Sequence, residues 1–112
     1  MLFRSLQMLG QIDAAKKQYQ HAISLAPDND DAYCDLGVLL FRTGDVEAAV
    51  LQFNQAAKIN PDDPVPLFNL AAIYQKNGRA DLALKLYERV LQINPGDPDA
   101  IAALQSLLSN PN

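Results

Sequence analysis

An all-α fold of stacked helix pairs, forming a short curved solenoid, is predicted by three features of this 112-residue chain. The first is a gap-free period of 34 residues, which superposes Gly10 on Gly44 and Gly78, Ala15 on Ala49 and Ala83, and Pro27 on Pro61 and Pro95. A fixed period of roughly 20 to 50 residues marks a repeat array. The second is apolar spacing of three and four, as in Tyr33, Leu36, Leu40 and in Val46, Ala49, Val50, Phe53, Ala56, Ala57, which is the spacing of one helix face. The third is regular punctuation by glycine and proline, which divides each period into two helices.

Taken in order, the expected helices lie near 1–9, 11–25, 30–43, 45–59, 64–77, 79–93 and 98–109, with no strand. Gly10 separates the first two by its register with Gly44 and Gly78. Those two glycines follow helical segments and precede the acidic turns Asp45-Val46-Glu47 and Arg79-Ala80-Asp81, where a positive φ ends one helix and a negative charge favours the start of the next. Helices 11–25, 45–59 and 79–93 stop at Ala26-Pro27, Asn60-Pro61 and Asn94-Pro95, because proline disfavours α geometry in the residue before it. Asp28, Asn29 and Asp30 cap the helix at 30, and Asp63-Pro64 and Asp97-Pro98 place an oxygen acceptor ahead of a proline at the first helical position. Tyr19, Phe53 and Tyr87 share one register, as do Leu25, Ile59 and Ile93, the leucines 2, 36, 70 and 104, and the acids Asp13, Glu47 and Asp81. Each pair is apolar on more than one side, so it buries its surface only by stacking on its neighbours.

Composition removes several function classes. Thirteen acidic residues against nine basic ones give a net charge of -4, which opposes binding driven by phosphate neutralisation and argues against nucleic acid. Cys34 is the only cysteine, so neither an internal disulfide nor a thiolate metal site is available. No apolar run approaches a membrane span, and Met1 to Gly10 makes a poor secretion signal, so a cytoplasmic chain without membrane insertion is expected. His21 is the only histidine, and Gly78-Arg79 stands without a phosphate-binding glycine loop. Catalysis, a cofactor and a metal are therefore not expected. The junction acids Asp28, Asp30, Asp31, Asp62 and Asp63 read as capping groups.

Tyr33, Leu36, Gly37, Leu40, Ala49, Phe53, Ala56 and Pro61, followed one period later by Leu67, Leu70, Ala71, Tyr74, Ala83, Tyr87, Val90 and Pro95, resemble the tetratricopeptide repeat pattern. In this register the chain is one domain, 1–112: a truncated first repeat at 1–29, repeats at 30–63 and 64–97, and a capping helix at 98–112. Small Gly37 or Ala71 facing Ala49 or Ala83 lets two helix backbones approach closely; Phe3 and Gln105 depart from the pattern at the small position.

The resemblance implies a right-handed superhelix of antiparallel helix pairs whose first helices line a concave groove that takes a peptide segment of a partner protein. By position the groove residues are Arg4 and Met8, then Asp31, Cys34, Asp35, Val38, Phe41 and Arg42, then Val65, Phe68, Asn69, Ala72, Gln75 and Lys76, with Asp99, Ala102 and Ser106 from the cap. Cys34, Val38 and Phe41 form their own stripe at i, i+4, i+7. The positions at which one subset of the family grips chaperone C-terminal carboxylates hold Arg4, Asp35, Val65 and Asn69; only Asn69 suits that task, and Asp35 repels a carboxylate. Arg42 and Lys76 end their helices, where they complement the dipole or meet an acidic partner. The expected function is a non-enzymatic protein-protein interaction module. The alternatives are a self-associating scaffold stacked through its terminal repeats, giving a homo-oligomer, and the regulatory piece of a longer enzyme.

Overall fold

A computed structural model describes residues 2–109, with side chains over residues 8–109. These residues form six α-helices and no strand: α1 (Leu2–Leu25), α2 (Asp30–Arg42), α3 (Val46–Ile59), α4 (Pro64–Lys76), α5 (Ala80–Ile93) and α6 (Pro98–Ser109).

The seven expected helices become six because α1 runs unbroken through Gly10. Gly44 and Gly78 do end their helices, with φ of 90° and 79°. At the first of these turns the Gly44 N–H donates to the Phe41 carbonyl (3.1 Å) and the Asp45 N–H to the Leu40 carbonyl (2.9 Å). At the second, Gly78 donates to Gln75 (3.2 Å) and Arg79 to Tyr74 (2.8 Å). This paired bonding satisfies the last carbonyls of a helix. Neighbouring groups reinforce the first stop: the Thr43 hydroxyl donates to the Leu40 carbonyl and Asp45 Oδ1 accepts from the Ala48 N–H. Around Gly10 stand Leu9 and Gln11 instead, neither of which offers a cap of that kind. A glycine inside a helix costs only about 1 kcal/mol relative to alanine, so α1 continues for 24 residues, about 36 Å at 1.5 Å per residue.

The chain divides into two compact units, residues 1–59 and 60–112. In the first, α2 packs on both α1 and α3. Ala49, Phe53 and Ala56 of α3 and Leu36, Gly37 and Leu40 of α2 are buried. A Cβ added at Gly37 would lie 2.9 Å from Cε1 and Cζ of Phe53, so glycine is what allows these two helices their separation.

In the second unit, α5 packs on both α4 and α6. Ala71, Ala83, Tyr87 and Leu107 form its buried centre, flanked by Phe68, Tyr74, Leu86 and Leu104. The Tyr87 ring meets Phe68 edge-on at 5.5 Å and 67°, a favoured aromatic geometry. Its hydroxyl donates to Gln75 Oε1 at 2.9 Å, so the polar tip of a fully buried ring is satisfied. Burial pushes the Tyr87 phenol above its ordinary value of 10.0.

Asparagine and aspartate start the first helix of each later repeat. Asn29 Oδ1 accepts from the Ala32 N–H (3.3 Å), Asp63 Oδ1 from Val65 (3.0 Å), and Asp97 Oδ1 from both Asp99 (3.0 Å) and Ala100 (3.2 Å). These bonds fix where α2, α4 and α6 begin, and with them which residues share a face on each helix.

Candidate functional site

On α2 the expected stripe is only partly open. Cys34, which the repeat register assigns to the groove, is 6% exposed. The reason lies in the neighbours: Ala32, Leu36, Leu40, Gly37 and Cys34 follow one another around α2 and are all buried, and a helix flanked on two sides buries a wider arc than one apolar stripe. Val38 and Phe41 beside it are half-buried, whereas Asp31, Asp35 and Arg42 are exposed. Partial desolvation, reinforced by the Asp31 carboxylate, holds the Asp35 carboxyl above its ordinary 3.8. Met8 on α1 is 61% exposed; the Arg4 side chain lies outside the described residues.

On α4, Val65 is 52% exposed, and Ala72 and Lys76 are also open to solvent. Phe68, Asn69 and Gln75 are half-buried and already engaged. Phe68 rests on Tyr87, Asn69 Nδ2 donates to the Val65 carbonyl at 3.1 Å, and Gln75 accepts from Tyr87. Gln75 thus joins α4 to α5 in addition to its place on the first-helix face. From α6, Asp99, Ala102 and Ser106 are exposed.

Within the second unit a cleft of about 240 Å³ is lined by Pro64, Val65, Phe68, Asn69, Asp97 and Asp99. Four of its residues, Val65, Phe68, Asn69 and Asp99, are those that position in the repeat assigns to the groove. Asp97 and Pro64 are additions. The sequence marks both as capping residues, and the same Asx-Pro turns that start α4 and α6 bring them to the cleft mouth. The cleft combines an aromatic wall, an open valine, a side-chain amide and two carboxylates, with no basic side chain among its lining residues. Such a surface suits a short apolar segment with polar flanks.

Among the described residues no helix is long and apolar enough to cross a membrane. Two models of the tetratricopeptide repeat match the sequence, over residues 1–64 and 47–108. No curated protein matches it significantly. Among solved structures, the first TPR of Spaghetti (RPAP3) bound to the HSP90 peptide SRMEEVD aligns at 22% identity and a TM-score of 0.81, covering 95% of this chain and 84% of that one. The Yersinia enterocolitica type III secretion chaperone SycD, in complex with a peptide of the translocator YopD, aligns at 16% identity and a TM-score of 0.81, covering 98% and 88%. MamA protein aligns at 23% identity and a TM-score of 0.76; the chain covers 90% of its own length and 55% of that of MamA.

Proposed function

Since the chain belongs to the tetratricopeptide repeat family, we propose that it is a non-enzymatic interaction module that binds a peptide segment of a partner protein on the first helices of its second unit, α4 and α6. The observation that carries this reading is the cleft on α4, where a half-exposed valine and a phenylalanine braced by Tyr87 stand open beside polar groups. Covering one such apolar side chain contributes roughly 1.5 to 3 kcal/mol, against about 8 kcal/mol for a micromolar complex, so a few anchors of this kind suffice. The peptide-bound states of the RPAP3 and SycD structures support the same use of the fold. The test is a variant with Val65→Asp and Ala72→Asp, two exposed positions of α4. The reading expects a folded protein whose affinity for a selected peptide falls by about tenfold or more, or roughly 1.4 kcal/mol. Full affinity in the folded variant would overturn it.

A second reading, end-to-end self-association, draws on the last helix. Leu108 of α6 is 70% exposed, whereas Leu40, its equivalent two repeats earlier, is 6% exposed. The occupant this face fits is the 11–25 part of α1 in a second copy, the one outer-type helix whose Ala15, Tyr19 and Ala22 are only half-buried while Ala49, Phe53 and Ala56 are fully so. Gln105 at the small position limits how closely that helix approaches. Sedimentation velocity over a wide concentration range decides it: association abolished by Leu108→Asp supports this reading, and a monomer throughout rejects it.

A further inference from the structure

The cleft also constrains the chemistry of what enters it. We infer that the partner segment carries a lysine or arginine next to its apolar anchor, so that the anchor lies against Phe68 and Val65 while the cation meets Asp97 and Asp99. This deepens the peptide-binding reading above and rests on it.

The charge around the cleft has one sign. Asp97 and Asp99 are its only ionisable lining residues. Two helix N-termini, those of α4 and α6, open nearby, and each end carries roughly half a positive charge, which by itself would favour an anion. Their donors are already used: the Val65 N–H is held by Asp63, and the Asp99 and Ala100 N–H groups by Asp97. The half-buried Asp97 and the exposed Asp99 thus bring two carboxylates to the cleft. Arg89 of α5 pairs with Asp62 at 3.7 Å and does not line the cleft. An acidic segment would therefore meet repulsion at the mouth, and a neutral one would leave two carboxylates uncompensated where the partner excludes water. A cation on a flexible stem lays its methylenes on the apolar wall and its charge at the rim. The net charge of -4 over the whole chain acts in the same direction on encounter.

The test is selection from a phage-displayed library of random 12-residue peptides against the whole chain, followed by affinity measurement of the enriched sequences at low and high salt. Enrichment of lysine or arginine within two residues of an aromatic or aliphatic anchor is expected. Affinity should drop about fivefold or more in the Asp97→Asn, Asp99→Asn variant, with a smaller drop at high salt where rim charges are screened. Asparagine retains the capping oxygen, so α6 keeps its start and the variant changes charge alone. Selected peptides that are neutral or acidic, or whose affinity ignores the two asparagines, overturn the inference while leaving peptide binding intact. A selection that returns no binding sequence overturns both.

Discussion

At the scale of single residues, three glycines with one register behave in two ways, and the difference is measurable. Gly10 lies in a continuous helix with nothing within 4 Å of an added Cβ, while Gly44 has open space but a φ of 90°. Gly10→Ala should therefore stabilise the chain by about 0.5 to 1 kcal/mol, and Gly44→Ala should destabilise it by about 1 kcal/mol or more; urea denaturation of the two variants checks both signs. A destabilising Gly10→Ala would show that residue 10 turns as Gly44 does and that α1 is two helices. Gly37→Ala sets a helix-propensity gain of about 1 kcal/mol against overpacking of about 1 to 3 kcal/mol, because the ring it meets, Phe53, is 1% exposed and has no room to move. Net destabilisation is expected.

Asp35 makes stability depend on pH. Its carboxyl is held above 3.8 by desolvation and by Asp31, so the native state keeps a proton that the unfolded chain has already released. Stability from this group is fully present below 3.8 and is lost as pH rises through the raised native value. Asp35→Asn should remove that loss, giving a higher midpoint than the parent above the window and a flatter profile through it. Thermal melts across about pH 3 to 7 measure this; identical slopes would contradict the assignment.

At the scale of helices, starts and stops were legible in the sequence wherever a local chemical signal exists. Asn29, Asp63 and Asp97 cap as their residue types dictate, and Gly44 and Gly78 adopt the positive φ that ends α2 and α4. The extra break at Gly10 came from register alone; Leu9 and Gln11 lack the flanking hydroxyl and carboxylate that complete the turn at Gly44. Between helices, the key join is Tyr87 to Gln75 and Phe68. Tyr87→Phe keeps the ring contact and removes the hydrogen bond, so a loss of about 0.5 to 1.5 kcal/mol is expected. Tyr87→Ala removes the ring too and should cost about 3 to 5 kcal/mol. Equal losses in the two variants would mean that the ring packing contributes little.

At the scale of the molecule, the repeat period carried the architecture, since the buried alanines 49 and 83 and the aromatics 53 and 87 sit where one unit's register places the next. The candidate surface was less legible. Register assigns a residue to the first-helix face, but the neighbours decide how much of it is covered. Cys34 is buried, whereas Val65, at the start of α4, stays open. Asp97 reaches the cleft through a turn between α5 and α6, a tertiary juxtaposition that helical periodicity does not encode.

The proposed binding of a partner peptide by α4 and α6, rather than by α5, can be observed residue by residue. Amide chemical-shift mapping of the isotope-labelled chain, titrated with a selected peptide, tests it directly. The largest shifts are expected at Val65, Phe68, Asn69, Ala72, Asp97 and Asp99, with exposed positions of α3 and α5 such as Leu51 and Lys85 little changed. Shifts centred on α3 and α5, with the α4 cleft silent, would contradict it.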